Sequence, residues 1–249
     1  MKTIIPIMHG IIDRRMLVNF RVCPDAVKKL LPPLFRPKLV GGWAMAGICL
    51  IRLKHIRPHG LPAACGFTSE NAAHRIAVEW HDAGSLREGV FIPRRDTSST
   101  VQALVGGRLF PGVHHLAQFD VNESGRELHL RMGSRDGAVQ VEVRAHPAPQ
   151  IPTGSVFKSL AEASKFFERG SAGYSVTKSP DRYDGLELHT SQWQVAPLEI
   201  ESVQSSFFDD SNRFPKGTIY FDCALMGSVN DIVILLSDLA ISLWPRAKA

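Results

Sequence analysis

The sequence is poor in cysteine, the residue that forms disulfide bonds and many structural zinc sites. Cysteine occurs four times in 249 residues, and no two cysteines form a Cys-x-x-Cys pair, which argues against a zinc site and a disulfide framework. The most metal-like feature is the pair His114-His115. Because adjacent side chains on a strand point to opposite faces, these two imidazoles are not expected to bind one ion. We therefore predict no metal site.

The sequence also lacks the glycine-rich and serine-centred motifs of several large enzyme classes. There is no Gly-x-Ser-x-Gly elbow of a serine hydrolase. There is neither a Gly-x-x-x-x-Gly-Lys phosphate loop nor a Gly-x-Gly-x-x-Gly turn of a dinucleotide-binding domain. Nucleotide cofactors are therefore not indicated, and we predict no cofactor.

Charge and hydropathy argue against two further kinds of partner. Lys and Arg exceed Asp and Glu by 29 to 24, but the basic residues are spread along the chain and form no tract that could follow a nucleic-acid backbone. The apolar segment Asp231 to Trp244 carries Asp238 and is shorter than the roughly 20 residues that span a bilayer. Pro6 and Gly10 interrupt the apolar N-terminus, and no small-residue cleavage site follows. We expect a soluble, cytoplasmic protein that binds neither nucleic acid nor membrane.

What the sequence does contain is a series of short apolar segments separated by turn residues. The second half of the segment Trp43 to Ile56 alternates, so that Ile51 and Leu53 point to one face while Lys54 and Ile56 point to the other. Helices are predicted over 24–31, 101–104 and 155–168. This pattern predicts one mainly β (α+β) domain over residues 1–249, an antiparallel sheet with a few helices packed outside it.

Charged residues inside or beside these apolar strands are the best candidates for a functional site. The segment Arg87 to Arg95, REGVFIPRR, runs an apolar strand into two adjacent arginines after Pro93. Alternation sends one guanidinium toward the interior of a small barrel, and a buried arginine needs an anion from the protein or from a ligand. For any single charge, an exposed position at the rim is the simpler interpretation. The other members of this group are Arg14, Arg15, Glu70, Glu79 and Glu88.

The order of these segments resembles the acetoacetate decarboxylase-like proteins. A strand from Asp13 to Val22 runs into the segment Pro24 to Leu34, and Glu70 lies in a Thr-Ser-Glu-Asn segment. The strand Arg87 to Arg95 is similar to one that ends in Pro-Lys-Lys in the decarboxylases. The closer match is to an uncharacterised bacterial branch, the YqjF-like proteins, on the segments 43–47, 56–62 and 107–110. The resemblance covers most of the chain between residue 13 and about residue 222.

The resemblance implies a closed, cone-like antiparallel β-barrel around a small-molecule cavity, usually in a homo-oligomer. Arg94 matches the lysine that forms a Schiff base with a β-keto acid in true decarboxylases, Arg95 matches its neighbour, and Arg14 and Glu70 match other site residues. Because arginine stays protonated at any ordinary pH and is a very poor nucleophile, no Schiff base is expected at Arg94. Lys54, on a predicted strand, is left open as a replacement.

Two functions are compatible with these residues. In the first, the barrel binds a small organic acid or oxo compound, and any chemistry is of the lyase, hydratase or isomerase type, with Glu70 or His74 moving a proton. The predicted ligand-binding residues are Arg14, Glu70, His74, Glu88, Arg94 and Arg95, of which Glu70, Arg94 and Arg95 are the predicted catalytic residues. In the second, the protein is a non-catalytic sensor or carrier, or a structural barrel, in which Arg94, Arg95, Glu70 and Glu88 form an internal salt-bridge network.

Overall fold

The computed structural model describes residues 7–82, 84–105, 112–177 and 182–240. The start of the apolar N-terminal segment at 1–6, the motif at 107–110 and the end of the apolar segment at 241–244 lie outside the described residues. The strands are β1 (Met8–Val22), β2 (Arg36–Pro37), β3 (Leu39–Val40), β4 (Trp43–Pro58), β5 (Phe67–Asp82), β6 (Ser85–Thr97), β7 (His114–Ser124), β8 (Glu127–Ser134), β9 (Gln140–Pro147), β10 (Ala172–Val176), β11 (Arg182–Thr190), β12 (Val195–Ser205), β13 (Ile219–Gly227) and β14 (Asn230–Ala240). The helices are α1 (Pro24–Lys28), α2 (Thr100–Val105) and α3 (Leu160–Glu168), and a 3-10 turn covers Ala63–Cys65.

Four neighbouring strands, β1, β4, β5 and β6, form a central sheet that two closed rings share. On one side, β1 continues through β13, β12, β9, β8 and β7 back to β6, which makes a nine-strand ring. On the other side, β1 continues through β14, β11 and β10 back to β6, which makes a seven-strand ring. Both rings exist because β13 and β14 pair with different halves of β1.

The prediction of a mainly β fold with a few peripheral helices is confirmed. The sheet is mixed rather than wholly antiparallel, because β6 pairs in parallel with both β7 and β10. Parallel neighbours need a crossover connection instead of a hairpin, and α2 lies in the connection from β6 to β7. That residues 1–249 form one domain stays a prediction.

Successive side chains on the shared strands point alternately into the nine-strand ring and the seven-strand ring. On β1, Val18 packs in the nine-strand ring and Leu17 in the seven-strand ring. On β5, Ile76 packs in the nine-strand ring, whereas Arg75 faces the seven-strand ring. Because the side-chain period of a strand is two residues, each central strand serves both interiors.

Near its end, β4 departs from the predicted alternation. Ile56 was expected opposite to Ile51 and Leu53, but all three are buried in the same cluster. His55 has a φ of 54°, and the pairing with β5 slips between Leu53 and Ile56, as in a β-bulge. The extra residue changes the phase of the strand by one position, so Ile56 turns toward the seven-strand ring.

Helix α3 covers one side of the seven-strand ring. It begins at Leu160, later than the predicted start at Ser155, and Ser159 caps it by accepting a hydrogen bond from a backbone N–H of the first turn. The Ser155 hydroxyl instead donates to the buried Asp222 carboxylate at 2.7 Å, which holds this stretch outside the helix. Phe167 packs inward from the helix and is buried, which is worth about 2 kcal/mol.

Two kinds of feature are absent from the part of the chain that the structure describes. None of its helices has the length and apolar character needed to cross a membrane. No group of three or more His, Cys, Asp or Glu side chains in these residues is arranged to hold a metal ion.

Candidate functional site

The seven-strand ring encloses a cavity of about 120 Å³. All seven strands of the ring contribute to its wall, and α3 and the segment after it cover one side. Most of the wall is apolar, including Leu17, Ile51, Ile92, Leu186 and Ile234. A concave, largely apolar pocket with a few polar groups is the usual form of a small-molecule site. The charged and strongly polar side chains at the cavity are Arg15, Asn71, Arg75, Arg95, Asp96, Gln102 and His114.

Arg95 reaches the cavity from β6. Its Nε donates to Ser175 Oγ at 3.0 Å, and its Nη2 is buried without a hydrogen-bond partner. Gly112 makes this contact possible, since a Cβ there would lie 2.7 Å from Ser175 Cβ and 3.4 Å from Arg95 Nε. Burial lowers the pKa of Arg95 to about 10, so the guanidinium still carries its charge at pH 7.

Arg75 reaches the cavity from β5. Its Nη2 donates to Asn19 Oδ1 at 2.6 Å, and its guanidinium carbon lies 5.0 Å from the centre of the Phe167 ring. Its Nε is buried without a partner. Burial lowers the pKa of Arg75 to about 10, so this group is also charged at pH 7.

Arg15 reaches the cavity from β1 and is half-buried. Its guanidinium carbon lies 5.4 Å from the centre of the Trp193 ring, and its Nε is buried without a partner. Trp193 is itself held by a hydrogen bond from its Nε1 to Ser164 Oγ at 2.9 Å. The aromatic face therefore fixes the position of this third cation.

The three arginines share the lack of a carboxylate partner. Among the described residues, no carboxylate oxygen lies within 4.0 Å of a nitrogen of Arg15, Arg75 or Arg95. Each of the three has one buried nitrogen without a hydrogen-bond acceptor. A buried cation without an ion-pair partner is costly, so Arg75 and Arg95, together with the half-buried Arg15, are unusual for residues with a purely structural role.

Two more titratable groups, His114 and Asp96, lie at the cavity. The Nδ1 of His114 is 3.2 Å from the Gly112 carbonyl oxygen, to which it donates when Nδ1 carries the proton. Burial, and then the charge of Arg95, lower the pKa of His114 to about 3, so its imidazole is neutral at pH 7. Burial raises the pKa of Asp96 even though Arg94 Nη2 donates to this carboxylate at 2.7 Å.

Arg94, which the resemblance matched to the catalytic lysine, points away from the cavity. Its nitrogens donate to the carboxylates of Asp96 and Asp136 over 2.7 to 3.1 Å. On the β5–β6 pair, Arg94 stands opposite His74 and Arg95 stands opposite Ala73. Because side chains alternate along the strand, Arg95 is the member of the pair that faces the cavity.

Arg14 and Glu70 lie together, outside the cavity. Arg14 pairs with Glu70 and with Glu123, and Arg52 Nη1 donates to Glu123 at 3.0 Å. Lys54 stands at the edge of this cluster, with its Nζ 2.9 Å from a neighbouring aspartate. Protein carboxylates accept from most donors of these cations, but Arg14 Nε is buried without a partner. None of these residues lines the cavity.

Glu88 and His74 lie in two other places. Glu88 accepts a hydrogen bond from Lys38 Nζ at 2.7 Å and lies 3.8 Å from Arg169. His74 faces the nine-strand ring, where its ring centre is 4.5 Å from that of Phe207. Burial lowers the pKa of His74 to about 3, so it is a neutral side chain inside an aromatic cluster.

The predicted site residues are therefore dispersed over the central sheet, and Arg95 alone among them lines the cavity. The internal network required by the second hypothesis is not formed, because Arg94, Arg95, Glu70 and Glu88 belong to four separate sets of contacts. Strand alternation is the reason, since it sends sequence neighbours to opposite faces of one sheet.

Three residues that line the cavity, Arg15, Arg75 and His114, were not among the predicted ligand-binding residues, although Arg15 belonged to the group of charged candidates. Arg15 and Arg75 directly follow Arg14 and His74, and we selected the first member of each pair. An arginine at position 75 inside the apolar strand AAHRIAVEW was a usable signal. It became informative only with the pairing of the strands, which decides which face has the cavity.

Solved structures with this fold are acetoacetate decarboxylase-like enzymes. One, from Sphingomonas wittichii RW1, superimposes with a TM-score of 0.61 at 14% identity, over 96% of this chain and 94% of that chain. The acetoacetate decarboxylase of Legionella pneumophila gives 0.59 at 13% identity, over 94% and 87%. The enduracididine biosynthesis enzyme MppR, described as complexed with pyruvate, gives 0.59 at 12% identity, over 97% and 92%. At these identities the similarity shows the fold, which is that of the acetoacetate decarboxylase-like proteins.

The chain belongs to the family DUF2071, described as "Uncharacterized conserved protein (COG2071)", which matches residues 12–220. This family is the YqjF-like branch, so the resemblance found in the sequence is confirmed. No curated protein gives a significant match to the sequence.

Proposed function

We propose that the protein binds a small organic acid or oxo acid in the cavity of the seven-strand ring, with Arg95 holding its carboxylate. The observation that carries this proposal is the set of buried guanidinium nitrogens at the cavity without protein acceptors. A carboxylate would accept a hydrogen bond from Arg95 Nη2 and supply the missing counter-charge. The ligand class is that of our first hypothesis, and the anion site moves from Arg94 to its neighbour.

The size of the cavity supports a small ligand. A cavity of roughly 150 Å³ holds benzene, with about six non-hydrogen atoms. The cavity here, at about 120 Å³, is therefore suited to an acid of similar size. Pyruvate is of that size, and it is the ligand named for MppR, which has the same fold.

The cavity does not support Schiff-base chemistry. No lysine is found among the described residues that line it, and Lys54 pairs with a carboxylate elsewhere. Arginine does not form an imine with a ketone under ordinary conditions. Treatment with acetoacetate and borohydride should therefore leave every lysine at its original mass, and an adduct mapped to any lysine contradicts the proposal.

Catalysis without a covalent intermediate is the second candidate function, and His114 is the observation that favours it. This neutral imidazole lines the cavity within the field of Arg95. Arg95 would stabilise the charge of an enolate while His114 takes or returns a proton, which suits a lyase, hydratase or isomerase. Deuterium exchange into the methyl group of pyruvate in D₂O tests this reaction. Exchange by the wild type and not by His114→Phe supports catalysis, whereas no exchange supports a carrier or sensor.

Variants of the adjacent residues Arg95 and Arg94 provide a matched test of ligand binding. Saturating pyruvate should raise the unfolding midpoint of the wild type by about 5 °C, because a ligand at 100 times its Kd adds about 2.7 kcal/mol. Arg95→Gln should abolish this increase, and Arg94→Gln should retain it relative to its own ligand-free midpoint. An increase that survives in Arg95→Gln and disappears in Arg94→Gln would place the ligand at Arg94 instead.

We also propose, from the family resemblance, that the protein is a cytoplasmic homo-oligomer. Light scattering coupled to size-exclusion chromatography tests the assembly, and a mass equal to one chain contradicts it.

A further inference from the structure

We infer that the cavity has two anion-binding poles and that its ligand is a small dicarboxylate. This inference rests on the proposed function and specifies its ligand class. The first pole is Arg95, and the second is formed by Arg75 and Arg15. A single carboxylate would satisfy one pole and leave the other buried without a counter-charge.

The side chain of Arg95 defines the first pole by leaning away from the central sheet. Its Nε donates to Ser175 on β10, and β10 is the neighbour of β6 on the side opposite to β5. Gly173 of the same strand also approaches, since a Cβ there would lie 3.6 Å from Arg95 Nη2. The unpaired Nη2 of this pole therefore lies near the β10 side of the cavity.

The side chain of Arg75 defines the second pole by crossing the sheet in the other direction. On the β4 strand, Gly47 is paired with Arg75 on one side and with Asn19 of β1 on the other. Arg75 extends over Gly47 to donate to Asn19 Oδ1. A Cβ at position 47 would lie 3.2 Å from that oxygen, so the missing side chain of Gly47 opens the path for the guanidinium.

Arg15 belongs to the second pole. It lies on β1, four residues before the Asn19 that accepts from Arg75, and its side chain also lines the cavity. Its charge adds to the lowering of the pKa of Arg75 after the larger effect of burial. The strands β1 and β6 are separated by β4 and β5, which is about 14 Å between their backbones. Arg75 extends across this gap toward β1, whereas the guanidinium of Arg95 contacts β10 on the other side of β6.

The floor between the poles is small and uncharged. Cys49, Ala73 and Arg95 form one row across β4, β5 and β6, with Ala73 paired to both of the others. Cys49 is an electrostatic neighbour of both Arg75 and Arg95. The middle of a ligand that reaches both poles therefore rests on the side chains of Cys49 and Ala73.

The charges near the cavity fit an acid with two negative groups. Three cations face the cavity, while the Asp96 carboxylate is used by Arg94. Asp184 is the described carboxylate whose charge acts on Arg95, and it accepts a hydrogen bond from the Gly112 backbone at 3.0 Å. Even with Asp184 counted against Arg95, the second pole lacks an anion.

Pairs of ligands with the same shape and different charge test this inference on the wild-type protein. Isothermal titration should show malonate and succinate binding about tenfold or more tightly than malonamate and succinamate, in which one carboxylate is an amide. Inorganic phosphate, with its charge at one centre, should also bind more weakly than the diacids. Arg15→Gln should weaken diacid binding about tenfold and leave monoamide binding unchanged, whereas Arg95→Gln should weaken both.

A second readout needs no variant. A bound diacid should slow alkylation of Cys49 by iodoacetamide, with the exposed Cys65, which does not line the cavity, as the internal control. Equal affinity for a diacid and its monoamide, or for phosphate and the diacids, would overturn the two-pole inference and leave the proposed function standing. If pyruvate, the diacids and the monoamides all fail to bind, the proposed function itself is wrong.

Discussion

The nine-strand and seven-strand rings use the same four central strands but differ in how they treat buried polar groups. In the nine-strand ring, fully buried residues such as Ile48 and Leu130 pack together, and His74 is neutral against aromatic rings. In the seven-strand ring, three arginines face a cavity and none of them forms an ion pair with a carboxylate of the described residues. One interior is built for packing, and the other retains uncompensated charge.

The two faces of the central sheet line different interiors, so residues that stabilise the fold and residues that bind a ligand can alternate along one strand. Neighbouring residues such as Arg75 and Ile76, or Arg94 and Arg95, belong to different interiors because their side chains alternate. Substitutions one position apart should therefore have opposite consequences. Substitutions in each interior test this separation.

Replacing Ile76 by Ala should cause the largest loss. Its side chain is fully buried in the nine-strand ring, so the substitution leaves a cavity and should cost about 3 kcal/mol of unfolding free energy. Urea denaturation measures the loss. Acid binding should stay nearly unchanged, since the side chain points away from the ligand cavity. A loss below about 1 kcal/mol would show that this ring is not tightly packed.

Arg94→Gln should cost about 2 kcal/mol near pH 7, because it leaves the buried Asp96 carboxylate without its partner. Burial already raises the pKa of Asp96 above 3.8, so its folded form holds a proton more tightly than the unfolded chain does. The contribution of such a group to the unfolding free energy falls as the pH rises through its folded pKa. Loss of Arg94 should raise the folded pKa of Asp96 further. The cost should therefore be smaller near pH 4.5 than near pH 7.

Urea denaturation of wild type and Arg94→Gln at both pH values measures this difference. Arg87→Gln is the matched control, because Arg87 is exposed and its nearest aspartate is 3.8 Å away, and it should change stability by less than about 0.5 kcal/mol. Equal costs of Arg94→Gln at the two pH values would mean that Asp96 does not depend on Arg94.

Arg95→Met should change the unfolding free energy of the ligand-free protein in the opposite direction. The substitution removes a buried cation that has no carboxylate partner, so stability should stay the same or rise by about 1 kcal/mol while acid binding is lost. Denaturation without ligand gives the measurement. A loss greater than about 2 kcal/mol would show that Arg95 supports the fold rather than a ligand.

Asp136→Asn should have the smallest effect. Hydrogen bonds, first from Arg94 and then from Ser134, lower the pKa of Asp136 below its ordinary 3.8. A lowered carboxyl pKa stabilises the fold above that ordinary value, and this contribution is lost as the pH falls through the folded pKa. Because the side chain is 41% exposed, the loss near pH 7 should be less than about 1 kcal/mol. A loss that grows toward acidic pH would contradict this assignment.

Local features of the fold could be predicted from the sequence. The apolar segments with turn residues between them predicted a mainly β domain with a few helices, and the family resemblance indicated the same fold class. The division of β1 between β13 and β14 could not be predicted, nor could the two parallel junctions of β6. These pairings join residues far apart in sequence, and no local propensity specifies them.

From the sequence, the anion-binding residue could be narrowed to Arg94 or Arg95, but not to one of them. Alternation after Pro93 indicates that one of Arg94 and Arg95 faces an interior, but the register with β5 decides which one. That register slips between His74 and Ile76, where Ile92 and Pro93 of β6 stand opposite Arg75. Pro93 is a sequence signal for such a bulge, but it does not show which arginine then faces the cavity. Arg15 and Arg75 converge on the same cavity only because distant strands close the seven-strand ring.

A crystal structure of the protein grown with malonate tests the central claim most directly. We predict electron density for the acid inside the seven-strand ring, with a carboxylate oxygen about 2.8 Å from Arg95 Nη2 and the other carboxylate at Arg75 or Arg15. Density for malonate at Arg94, or a cavity filled by rearranged side chains with protein carboxylates on all three arginines, would contradict the account.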